Sequence, residues 1–329
     1  MGLTVNIVTA LCIYSTLFIV ILFLYVIVTR LREILREQKV QQLRDYYQPS
    51  ILAYIENPGN ATAILPETNL QYEAIELTMS DIVNYVNSEE QLVTISSYMN
   101  QHFTKRYEQA LKSKKWSKRM NTLYFVGDFR LKSLESLLLQ MINRETITED
   151  ERNEILIILA KFQHDHLLEL VLKQPHLSIF TYQLMLTASN EQLLEMFVAN
   201  YDSLPYKMQL SLIQVVGEKK LLKYIGFLEE RLTSDDKEVR VRVLKSMYEL
   251  DYLPDPRYQE FVSSPHWEER LFIAKMLEQW IDSKYVRDLR VLNMDEHYLV
   301  GETAGRALSF LFPEHNDLLV ESAIGRGSE

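Results

Sequence analysis

The alternation of apolar and polar positions changes character sharply along this chain. Residues 1–29 contain no Asp, Glu, Lys or Arg, and residues 5–28 read VNIVTALCIYSTLFIVILFLYVIV. As a helix rising 1.5 Å per residue that stretch extends about 36 Å, enough to cross a hydrocarbon core about 30 Å thick with some tilt. Asn6, Thr9, Ser15 and Thr16 dilute its first half without adding charge. Beyond it the helical rhythm continues through Leu31, Ile34, Leu35, Val40 and Leu43, predicting a helix that runs on to about Asp45. Glu56-Asn57-Pro58-Gly59-Asn60 then breaks the pattern, and Pro66 marks the end of a loop.

Farther on, the pattern becomes amphipathic and repeats at about thirty residues. Residues 228–250, 258–280 and 289–311 align as a short apolar helix, a polar turn and a longer amphipathic helix. The turns fall at Ser234-Asp235, Ser264-Pro265 and Met294-Asp295, and Leu244, Ala274 and Ala304 share one register of the longer helix. Weaker copies precede these. Leu204-Pro205-Tyr206 opens a helix carrying Leu210, Ile213, Val215 and Val216. Thr148-Glu149-Asp150-Glu151 has the hydroxyl-then-acid spacing of a helix cap before Ile155, Ile158 and Leu159. Trp116-Ser117-Lys118-Arg119 opens a helix with Leu123, Phe125 and Val126.

These segments resemble HEAT-type helical repeats, in which antiparallel helix pairs stack into a curved solenoid. The residues that carry the likeness are Asp236, Val239 and Arg240, with Leu244 following. The turn aspartate of such repeats corresponds to Asp235 or Asp236, and their inner arginine to Arg240 or Arg242. The second copy keeps Glu269-Arg270 but loses the aspartate; the third has Leu299-Val300 and loses the arginine. Armadillo-like and generic helical hairpins share much of this pattern. The resemblance implies an all-α protein: an N-terminal transmembrane helix followed by a HEAT-like α-solenoid of stacked helical hairpins. The expected organisation is an anchor at 1–29, a juxtamembrane helix and linker at 30–66, a helical cap at 67–115, repeats at 116–312 and a tail at 313–329.

Composition adds three points. Nine glycines and nine prolines in 329 residues favour helices over a turn-rich β architecture. The only cysteine, Cys12, lies in the apolar stretch, so the remainder has no disulfide framework, no cysteine nucleophile and no zinc–thiolate site. All ionisable acids and bases lie beyond residue 29, and their net charge of -10 argues against a general nucleic-acid binder.

Charge also orients the anchor. Arg30, Arg32, Arg36, Lys39 and Arg44 follow the span, placing the C-terminal side in the cytoplasm and a short N-terminus outside the cell membrane. A cleaved secretory signal is disfavoured, since nothing basic precedes the run, the run is long and no A-x-A follows. The sequon Asn60-Ala61-Thr62 then has no access to glycosylation machinery.

Candidate chemistry is sparse. There is no Gly-rich phosphate loop, no G-x-S-x-G and no H-E-x-x-H. Gly301 and Gly305 read as close-packing positions within a helix. His164-Asp165-His166 reads as a polar turn, because residues two apart on a helix point to nearly opposite sides. HEAT-repeat hydroxylases use repeated His-Glu pairs, and this chain contains no His-Glu dipeptide. The expectation is therefore a non-enzyme without metal or cofactor.

Two surfaces stand out. Lys105, Arg106, Lys112, Lys114, Lys115, Lys118 and Arg119 cluster around Trp116; Lys112, Lys114, Lys115, Lys118 and Arg119 form a candidate patch for anionic lipid, against the plainer reading of a solvated turn. Asp236, Arg240, Trp267 and Arg270 form a candidate surface for a protein partner. The sequence thus predicts a membrane-tethered scaffold that binds the bilayer and a protein, such as a membrane enzyme. Proteins of this build resemble bacterial accessory proteins of membrane glycosyltransferases. The alternatives are a self-associating membrane effector and a HEAT-like enzyme with an unrecognised site.

Overall fold

The computed structural model describes residues 2–59, 64–86, 88–174 and 176–312, and side chains from residue 9 onward with those of residues 10 and 12 excepted. The sequon at Asn60 and the tail at 313–329 lie outside the described residues. Among the described residues every regular element is helical. The chain forms two compact units, Met1–Ile147 and Thr148–Glu329.

The first unit contains α1 (Gly2–Glu56), α2 (Asn69–Val83), α3 (Glu89–Leu111), α4 (Trp116–Asp128) and α5 (Glu135–Ile142). The N-terminal part of α1 is long and apolar enough to cross a membrane: mean hydropathy reaches 2.1 over 18 residues, none of them buried by the rest of the chain. The helix does not stop near Asp45, as its apolar rhythm suggests, but continues to Glu56 with Pro49 inside it. Proline at a helix interior removes a hydrogen bond. Packing offsets that loss, because Ile51 and Ile55, on either side of one helical turn beyond Pro49, are buried, as is Val40 before it.

Rings fill this unit. A chain of contacts runs Tyr54–Tyr98–Phe103–Tyr107–Phe125–Phe129, with centroids 5.6, 6.2, 5.9, 6.3 and 5.9 Å apart. Offset and edge-on ring pairs at such separations add to the area they bury.

The second unit alternates long and short helices. The long ones are α6 (Glu149–Lys161), α8 (Ile179–Ala188), α10 (Tyr206–Glu218), α12 (Lys237–Glu249), α14 (Trp267–Gln279) and α16 (Tyr298–Leu311). Between them lie α7 (Leu167–Leu172), α9 (Glu191–Ala199), α11 (Ile225–Arg231), α13 (Tyr258–Val262) and α15 (Val286–Asn293). Each long helix packs on the next long one, from α6 on α8 through to α14 on α16. Leu244, Ala274 and Ala304, the shared register, are all fully buried on α12, α14 and α16.

Helix starts follow the sequence closely. Thr148 and Glu151 form a capping box on α6, the threonine hydroxyl accepting the Glu151 N–H and the glutamate accepting the Thr148 N–H at 3.1 Å. Helix ends were hidden. Arg130, Gln163, Lys220 and Asp251 each adopt positive φ, 50–57°, two residues past α4, α6, α10 and α12. The next residue's N–H then bonds a carbonyl five residues back, as in Leu131 to Val126 at 3.1 Å and Tyr252 to Met247 at 2.9 Å. This left-handed cap satisfies carbonyls left over at the helix end and is usually built with glycine.

The long helices approach closely. A Cβ on Gly217 of α10 would lie 2.7 Å from the Ser246 Cα of α12. Ser246 donates its hydroxyl to the Ile213 carbonyl across the same contact, at 2.8 Å. Gly301 and Gly305 on α16 likewise face the Asn293 carbonyl and side chain at the end of α15, so they are close-packing positions.

Candidate functional site

One turn recurs at the entry of three long helices. Ser113, Ser234 and Ser264 each accept, on the hydroxyl, the backbone N–H two residues on, at 3.2, 3.2 and 3.1 Å. Six residues after each serine stands an arginine, Arg119, Arg240 or Arg270, in the first turn of α4, α12 or α14. Its guanidinium reaches back to that serine's carbonyl, at 2.8, 2.7 and 2.6 Å. The charged side chain thereby holds the turn that aims the helix. At α16 Asp295 takes the serine's place, accepting the His297 N–H at 2.8 Å, and Gly301 stands where the arginine would be.

In the second unit these arginines also tie one long helix to the next. Arg240 donates to Glu269 at 2.8 Å, and buried Glu269 also accepts the Ser264 hydroxyl. Arg270 donates through two nitrogens to Asp295, one of them at 2.9 Å. Burial pushes the Asp295 carboxyl up, but the guanidinium and the His297 N–H outweigh it and hold it below the usual carboxylate range. Lys237 pairs with Glu268 at 2.6 Å, and Trp267 stacks on His297 with centroids 3.8 Å apart. All these contacts join entry end to entry end, so α12, α14 and α16 run parallel with their N-termini along one edge, to which the Tyr206–Asp236 hydrogen bond adds the start of α10.

The four residues expected to meet a partner all fall on that edge, and each has a task within it. Arg240 and Arg270 hold turns and neighbouring helices. Trp267 is half-buried in its stack. Asp236 caps α12 through the Glu238 N–H at 2.8 Å and accepts the Tyr206 hydroxyl at 2.8 Å. That hydroxyl and the helix-start N–H groups hold the Asp236 carboxyl below its ordinary range.

What the edge offers outward is a different set. Phe180, Tyr206 and Tyr298 are 67%, 50% and 73% exposed at the starts of α8, α10 and α16. A signal for two of them existed in the sequence: Tyr206 and Tyr298, like Trp116 and Trp267, each open a helix. Aromatic side chains supply large contact area at small conformational cost, which suits them to binding.

The basic run lies in the first unit, on the turn between α3 and α4. Lys112, Lys114, Lys115 and Lys118 are exposed and Trp116 is 46% exposed, while Arg119 is folded back into the turn. His164, Asp165 and His166 lie in the turn between α6 and α7; the imidazoles are edge-on at 6.0 Å, and His166 faces Glu169 at 3.1 Å. Among the described residues no group of three or more His, Cys, Asp or Glu is placed to hold a metal ion.

Sequence reasoning missed one ionisable group. Glu76 on α2 is largely enclosed beside Tyr107 and Arg106; burial, only partly offset by those two, raises its carboxyl to about 7. Glu73 on the same helix adds a second negative charge nearby, and the Tyr107 ring belongs to the ring chain of the first unit. No protein-family model matches this chain, and no curated protein matches it.

Proposed function

We propose that this chain is a membrane-tethered scaffold. Residues 5–28 of α1 cross the cell membrane once, with a short N-terminus outside, and the chain from Arg30 onward lies in the cytoplasm. The uncovered apolar stretch and the basic residues after it support this topology. The second unit is a HEAT-like α-solenoid that binds a protein. Its recurrence of about thirty residues, its alternation of long and short helices and the stacking of each long helix on the next support that reading.

The single observation that carries the proposal is the parallel edge of helix starts with Tyr206 and Tyr298 exposed on it, and Phe180 exposed at the start of the neighbouring α8. The Lys237–Glu268, Arg240–Glu269 and Arg270–Asp295 pairs stiffen this edge, so binding there loses little to ordering. The partner class the resemblance suggests is a membrane enzyme of a glycosyltransferase system, held beside the anchor. The chain acts as its accessory subunit and performs no chemistry itself.

The test is purification of detergent-solubilised full-length protein, compared with a variant carrying Phe180→Ser, Tyr206→Ser and Tyr298→Ser. A stoichiometric partner that is lost from the variant, whose helicity and melting are otherwise kept, is the expected result. A partner retained at full occupancy overturns the edge as the binding surface. A chain that associates only with itself, and is toxic on overexpression, moves the function to a self-associating membrane effector.

A further inference from the structure

The basic turn sits at a specific end of the first unit. Arg36 pairs with Glu73, and Arg44 pairs with Asp81. Both partners advance by eight residues, so α2 runs parallel to α1 and its first residue, Asn69, stands level with Arg32. Arg32 is only three residues beyond Thr29, the last of the uncharged stretch. The helix α3 leads back toward that end. Its Tyr98 ring meets Tyr54, near the far end of α1, and its Arg106 donates to the Asn69 side chain at 2.9 Å. Lys112 lies six residues, on the order of 9 Å along the α3 axis, beyond Arg106.

We propose that the α3–α4 turn is a second membrane contact, in which its lysines and Trp116 bind anionic lipid headgroups of the leaflet from which α1 emerges. This rests on the reading of α1 as a span. Four exposed lysines crowd the turn, none in an ion pair among the described residues, and no acid occurs anywhere in residues 109–127. Arg119 is held by the Ser113 and Lys114 carbonyls, which fixes the turn and leaves the lysines facing outward. Trp116, half exposed among them, is the residue type that settles at a membrane–water interface.

The fold itself does not call for these charges. The same serine–arginine turn at α12 carries Asp235 and Asp236, and at α14 it carries Pro265 and His266. Only the copy at the anchor end is lysine-rich. Juxtamembrane basic residues are attracted to anionic leaflets within a Debye length, each strengthening contact about fivefold.

The test uses the full-length chain in nanodiscs whose lipids carry brominated acyl chains, which quench nearby tryptophans. Subtracting the signal of a Trp116→Phe variant isolates Trp116 from Trp267 and Trp280. In discs rich in phosphatidylglycerol, Trp116 should be quenched at 0.1 M salt, and the quenching should fall by at least half at 0.5 M salt. It should fall equally in zwitterionic discs, and in the variant Lys112→Glu, Lys114→Glu, Lys115→Glu, Lys118→Glu, with helicity unchanged. Trp116 unquenched in anionic discs, or quenched alike in zwitterionic ones, overturns the proposal while leaving the span intact. A chain that does not enter discs at all overturns both.

Discussion

Along α10, α12 and α14 the interior is aliphatic, built from Leu212, Ile213, Val243, Leu244, Ile273 and Leu277, all fully buried. The first unit instead strings rings from Tyr54 to Phe129 across α1, α3 and α4. The two interiors distribute their stabilisation differently. A repeating stack sums many neighbour interfaces, each resembling the last, so a defect in one should stay near it. A single ring cluster joins helices of unequal length and gives every one of them the same dependence. The two units share the serine–arginine turn, so that device orients helices whichever interior lies behind it.

Four substitutions would break or sharpen this contrast, beginning with the largest expected loss. Phe103→Ala removes a fully buried ring that touches Tyr72, Tyr98 and Tyr107, and should destabilise the first unit by about 4 kcal/mol. Amide exchange should then accelerate together across α2, α3 and α4. Arg270→Met leaves the Asp295 carboxylate enclosed without its cation, a loss of about 3 kcal/mol. Here faster exchange should be confined to α14, α15 and α16; an equal loss in α6 and α8 would contradict local dependence.

Third, the first unit should be weakened by rising pH. Glu76 ionises near 7 when folded but close to 4.5 when unfolded, so between these values the folded chain holds the extra proton. Stability contributed by the protonated side chain is present below about pH 4.5 and is lost as pH rises through 7, a change of about 3 kcal/mol. Denaturation of Glu76→Gln from pH 5 to 8 should lack that slope. A variant with the parent's full slope would assign it to other groups. The smallest effect is at the helix contact in the second unit. Gly217→Ala forces α10 away from the Ser246 backbone and should cost about 1–2 kcal/mol, read as a shift in the denaturation midpoint.

Helix type was legible from apolar spacing, and helix starts most clearly where a capping residue agreed with it, as at Thr148. The length of α1 was not, because Pro49 and the absence of a repeating neighbour conceal how strongly Ile51 and Ile55 are buried. The left-handed caps escaped notice because Arg130, Gln163, Lys220 and Asp251 stand where glycine would advertise them. Arg240 and Arg270 look from the sequence like recognition groups. Their actual acceptors are carbonyls six residues back and acids about one repeat ahead, distances that no local pattern reveals. The outward aromatics were obscured by a physical ambiguity: a tyrosine at a helix start serves a core or a surface equally well until its neighbours are placed.

The continuity of α1 has a consequence for the proposed anchoring. At 1.5 Å per residue its 55 residues make a rod on the order of 80 Å long, with no loop between the apolar stretch and the part clasped by α2. A flexible tether lets its cargo sample every azimuth and many heights. A rod embedded at one end removes most of those degrees of freedom, so that tilting or rotating the embedded segment tilts or rotates the first unit with it. Under the proposed anchoring, the first unit would then explore the membrane surface in two dimensions, at a height set by the rod rather than by a slack chain.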